Sequence, residues 1–81
     1  MKLLRQIPHA NFNITLFWWN QKYILKFEQD NLEQTFKISE LDIVQESEID
    51  QIIDNQVFIT NVKKRFLEMH NDLLQTLNPE Y

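Results

Sequence analysis

The run Asn13-Ile14-Thr15-Leu16-Phe17-Trp18-Trp19-Asn20-Gln21-Lys22-Tyr23-Ile24-Leu25-Lys26-Phe27-Glu28 decides the fold. Apolar residues alternate on both sides of the polar pair Asn20-Gln21, which is the period of a strand with one buried face interrupted by a hairpin turn. Folding the chain at that pair sets Trp18 opposite Tyr23, Leu16 opposite Leu25 and Ile14 opposite Phe27. A second polar pair, Asp30-Asn31, repeats the pattern and sets Phe27 opposite Gln34, Leu25 opposite Phe36 and Tyr23 opposite Ile38. One face is then apolar across all three strands, whereas a slip of one residue would send each of these side chains to the opposite face. Residues 12–38 therefore read as a three-stranded antiparallel meander. Asn and Asp tolerate the left-handed backbone that tight turns need, but Gln21 is a poor occupant, so the first turn is expected to exceed two residues.

The other face of this meander receives Asn13, Thr15, Lys22, Lys26, Glu28, Glu33, Thr35 and Lys37, as a solvated surface should. It also receives Phe17, Trp19 and Ile24, which do not suit water.

Beyond residue 38 the period changes. Ser47, Glu48, Ile49 and Asp50 resemble a capping box with Asp in place of the usual Glu, opening a short helix over 47–54 with Ile49, Ile52 and Ile53 on one stripe. A break at Asp54-Asn55-Gln56 precedes a longer helix, 57–77, carrying Ile59, Val62, Phe66, Met69, Leu73 and Leu77 at steps of three and four. Asn78-Pro79 ends it. Leu67 and Leu74 lie about 80 to 100° off the centre of that stripe, an arc wider than one sheet contact needs. The short helix, the segment Leu3-Leu4-Ile7 or a second subunit would each cover that flank. Residues 1–11 read as an N-terminal arm or an extra strand.

The whole chain has 81 residues, 43% of them hydrophobic, which suits a single small domain with a large exposed surface. With neither cysteine nor glycine, it excludes thiolate zinc sites, cysteine nucleophiles and glycine-rich phosphate loops. Absence of cysteine points to the reducing cytoplasm. The first nine residues reach Gln6, Pro8 and His9 before an apolar run forms, so no signal peptide is expected. No stretch approaches about 18 apolar residues, so no membrane span is expected either.

Eight basic and twelve acidic residues leave a net charge of −4. Residues 39–56 form an acidic belt of Glu40, Asp42, Glu46, Glu48, Asp50 and Asp54 with no basic residue. These acids could serve a metal-dependent enzyme, but capping and the helix dipole already explain them, and calcium-loop spacing is missing. His70 sits near the middle of the apolar arc and reads as a partly buried structural histidine; His9 beside Pro8 has no partner set. Ser39 and Ser47 fall where a turn or a cap explains them. The expectation is no enzyme, no catalytic residue, no metal and no cofactor.

Phe17, Trp19 and Ile24 with Lys22 and Lys26 as a polar rim remain the candidate site. Aromatics beside lysines suit base stacking in single-stranded nucleic acid, but eight cations against twelve acids argue against it. A protein-binding face fits better, because Trp, Phe and Tyr concentrate at interface hot spots. The competing reading is that the N-terminal segment folds over Phe17 and Trp19 and buries them. Self-association is the simplest partner choice, as most oligomers are symmetric homodimers.

The segments Ile14–Asn20, Lys22–Gln29 and Leu32–Ile38 resemble short bacterial proteins of the Bacteroidetes type. The resemblance implies a bacterial origin and carries no site residue with it. The expected fold is α+β, a three-stranded meander packed on one long C-terminal helix with a short helix before it. The expected function is a non-catalytic, self-associating interaction or regulatory module.

Overall fold

A computed structural model describes residues 1–43 and 45–78. Four strands form one antiparallel sheet in the order β1-β2-β3-β4: β1 Lys2–Ile7, β2 Asn13–Trp19, β3 Lys22–Gln29 and β4 Leu32–Ser39. A single 3-10 turn, Glu40–Asp42, leads to helices α1, Ser47–Asp54, and α2, Gln56–Leu77. The class is α+β and the central meander carries the register read from its alternation, including Leu16 with Leu25 and Leu25 with Phe36.

The sheet has four strands, not three. Lys2–Ile7 pairs along β2, and a bulge at Leu4 lets Leu3 face outward with Phe17 while Arg5 and Ile7 face inward with Leu16 and Ile14. An extra residue in one strand switches the side-chain alternation at that point, which is how a short strand serves both faces.

Both hairpin turns are two residues long. Asn20 and Gln21 have φ of 52° and 57°, the paired left-handed geometry of a type I′ turn, and Asp30 has φ of 54°. The first turn is thus no longer than its neighbour, and Gln21 accepts the left-handed strain. Its carbonyl oxygen accepts a bond from the Glu40 N–H at 3.1 Å, which anchors the turn to the chain leaving β4.

Ser47 is not the cap of α1. The capping position is Glu46, whose own backbone is helical and whose side chain makes no capping bond, while the Ser47 hydroxyl donates to the Gln45 side chain. Glu46 is instead drawn to Arg5: the Arg5 Nε and Nη2 lie 3.0 Å from Glu46 and Asp50 carboxylate oxygens, off the line of a proper hydrogen bond. This pairing ties α1 to β1. Asn55 alone breaks the two helices, and its side chain accepts from the Phe58 N–H at 3.0 Å to cap α2.

The core lies between the sheet and the two helices. Phe12, Ile14, Leu16, Leu25 and Phe27 meet Ile49, Ile53, Ile59, Val62 and Phe66, with Ile43 sealing one end. Phe27 sits edge-on to Phe12 and to Phe36, and Phe58 packs against Phe27 and Phe36. Gln34, a polar residue that the register sends inward opposite Phe27, donates to the Val62 carbonyl at 2.9 Å and so is satisfied.

Helix α2 outruns its sheet. Phe58 lies over Phe27 and Phe36 and Phe66 over Phe12, while Leu77 stands about 28 Å beyond Phe58 along the axis. The sheet ends about three residues past Phe27, at the Asp30-Asn31 turn, or some 10 Å on. Leu73 is accordingly 48% exposed and stays outside the core that the helical stripe implied, and His70 is exposed, not the partly buried histidine expected.

Candidate functional site

Among the described residues the outer face of the sheet has no helix over it, since both helices pack on the inner face with Leu16, Leu25 and Phe27. On that outer face β2 presents Phe17 and Trp19, β3 presents Lys22, Ile24 and Lys26, and β4 presents Lys37. Phe17 pairs with Ile24 and Trp19 with Lys22, so the five residues singled out from sequence are brought onto one continuous surface.

Their exposures differ. Trp19 is 51% exposed, Phe17 is half-buried, and Ile24 is only 5% exposed. Ile24 is surrounded on its face by Phe17 and Lys37 across the strands and by Lys22 and Lys26 along its own strand. It forms the floor of the patch, not its contact surface. Leu3 supplies the apolar surface in its place: it lies opposite Phe17 and is 52% exposed. The N-terminal segment therefore does not fold across Phe17 and Trp19. It hydrogen-bonds beside them in the plane of the sheet and adds Leu3 to the same patch.

Leu3 and Lys37 were not among the residues picked from sequence. Lys37 was legible from the alternation of β4, whereas Leu3 could be placed only once the bulge in β1 is known.

The rim is mixed in sign. Lys26 Nζ is 3.1 Å from the Glu33 carboxylate, and Glu28 follows it on the same face. The Glu33 hydrogen bond and charge, with a smaller contribution from Glu28, raise the Lys26 pKa above its ordinary 10.5. Lys26 is thus one-third exposed with its charge already matched within the chain.

The acidic belt is partly used in holding the fold. Glu40 accepts from the Trp18 indole N–H at 2.9 Å, and Glu46 and Asp50 hold Arg5. Among the described residues no group of three or more His, Asp or Glu side chains is placed to hold a metal ion. His9 stacks on Phe12, and its Nδ1 accepts from the Asn11 N–H at 3.1 Å. An open depression of about 640 Å³ beside it is lined by Gln6, Asn13, Thr15 and Glu28 as well as apolar residues. No helix among the described residues is long and apolar enough to cross a membrane.

No protein-family model, no curated protein and no solved structure matches the chain. The reading of the site rests on its own geometry.

Proposed function

We propose that this chain is a non-catalytic interaction module of the cytoplasm that associates with a second copy of itself through the outer face of its sheet. One observation carries the reading: Trp19 stands half exposed beside Leu3 and Phe17 on a sheet face that no layer of the described residues covers. An indole loses little conformational entropy on docking and removes a large apolar area from water, so such a cluster gains most when another surface closes over it.

The occupant is argued from the rim. Lys22 and Lys37 share the face with Glu28, while Lys26 is matched to Glu33 within the chain, so the surface carries both signs, as a two-fold contact between copies requires. A nucleic acid would need free cations for counterion release, and Lys26 is already paired with Glu33 in a chain of net charge −4.

Sedimentation equilibrium over a wide concentration range tests this. Trp19→Lys is expected to weaken self-association at least tenfold while thermal unfolding stays cooperative; an unchanged mass distribution overturns the reading. A salt-sensitive mobility shift with single-stranded nucleic acid, lost on replacing Lys22 and Lys26, would favour the nucleic-acid reading of the same face.

A further inference from the structure

The overhanging half of α2 is the second place where the molecule leaves apolar surface in water. Leu67, Leu73 and Leu77 are 61%, 48% and 67% exposed, and among the described residues no other helix has three large exposed aliphatics. Where the helix leaves the sheet, a hollow of about 220 Å³ opens between Leu73, Leu74 and Leu77 on one side and the turn before Leu32 on the other.

We propose that this half-helix pairs antiparallel with the same segment of a second copy of this chain, centred on His70. Lys63, Leu67, His70, Leu74 and Leu77 follow one another at steps of four, three, four and three, which places them on one face of the helix. The series is nearly symmetric about His70, so a two-fold axis there sets Leu67 against Leu73 and Leu74 of the other copy, and Lys63 against Leu77.

Charge selects the antiparallel sense and the occupant. The cations of α2 are Lys63, Lys64 and Arg65, all before the centre, and from Asn71 to Tyr81 the sequence contains no lysine or arginine. The negative end of the helix dipole therefore has no cation in its own last turn. Asp72 adds negative charge to the same half. An antiparallel copy brings its Lys63 to that end and receives the same in return, whereas a parallel copy would set like against like.

The seam is short: 15 residues from Lys63 to Leu77 span about 22 Å at 1.5 Å per residue. A helix pair of that length buries less area than a standard stable interface, so the expected affinity is micromolar. The seam stands independently of the sheet face. If both operate, two different two-fold contacts on one chain assemble species heavier than a dimer.

Because the chain has no cysteine, single introduced cysteines report the geometry directly. Under mild oxidation His70→Cys is expected to give a covalent dimer, since two residues on the axis come within disulfide reach. Leu77→Cys is expected to stay uncrosslinked, its symmetry mate being about 21 Å away along the axis. Crosslinking of His70→Cys should persist in a Trp19→Lys background, which separates this seam from the sheet face. Absence of the His70→Cys dimer, or equal crosslinking by Leu77→Cys, overturns the proposal. Leu67→Glu, at an exposed position, should lower the solution mass without moving the melting temperature measured in the dilute monomer; an unchanged mass also overturns it.

Discussion

The indole nitrogen of Trp18 donates to the Glu40 carboxylate at 2.9 Å, joining the inner edge of β2 to the turn that follows β4. The two residues are 22 apart in sequence, and the bond is half-buried. Together with the bond from the Glu40 N–H to the Gln21 carbonyl, it closes the end of the sheet nearest the first hairpin. Trp18 and Trp19 thus do opposite things: one is held inward by a charge-assisted bond, the other is left in water.

That contrast gives the first prediction. Glu40→Leu removes the acceptor and leaves a half-buried N–H without its partner, at a cost of about 1–2 kcal/mol. Glu40→Gln keeps an acceptor and should lose less than half of that. Urea unfolding of the two variants checks it, and equal losses would mean that the bond contributes nothing specific.

Gln21 holds a left-handed backbone with φ of 57° and a full side chain. For a non-glycine residue this conformation costs about 1–2 kcal/mol, and glycine relieves it at the expense of some unfolded-state entropy. Gln21→Gly is therefore expected to stabilise the protein by about 0.5–1 kcal/mol in chemical denaturation, while Gln21→Val, β-branched at the same φ, should destabilise it.

The Lys26 ion pair predicts a pH dependence at the alkaline end. Its ammonium is held above the ordinary pKa of 10.5 by the Glu33 hydrogen bond and charge, and then by Glu28. A raised folded-state pKa stabilises the native protein below the unfolded value, and that contribution is lost as pH rises through the higher folded value. The melting temperature of the native protein should exceed that of Lys26→Met by a small margin at pH 8, with the gap closing above pH 10.5. A gap that persists at high pH would assign the effect to packing of the side-chain stem.

The meander was legible because its information is local: a period of two, two polar pairs and a register that each hairpin checks against the next. Strand β1 was legible only as one of two alternatives, arm or extra strand, because Leu3-Leu4-Arg5-Gln6-Ile7 has no single alternation, and the bulge at Leu4 that explains this exists only once β2 is alongside. The same holds at the candidate site. The alternation of β2 and β3 put Phe17, Trp19 and Ile24 on the outer face, but Ile24 is covered by neighbours drawn from both adjacent strands, which no stretch of one strand records. On α2 the difficulty is length. Helical spacing from Ile59 to Leu77 names a face without saying where the sheet beneath it stops, and so Leu73 reads as core and His70 as partly buried.

The end of that cover can be measured. Phe66 is 1% exposed and packs on Phe12, whereas Leu73, two turns later on the same stripe, stands 48% exposed beyond the sheet. Phe66→Ala should cost about 3–5 kcal/mol, since it opens a cavity between α2 and the sheet, and in a domain this small that approaches the whole stability. Leu73→Ser, at a concentration low enough to keep the chain monomeric, should change stability by about 0.5 kcal/mol or less. Repeated at high concentration, the Leu73→Ser loss should grow, because the native chain then gains from association and the variant does not. If instead Leu73→Ser is as costly as Phe66→Ala in the dilute monomer, the sheet supports the helix along its full length and no overhang exists.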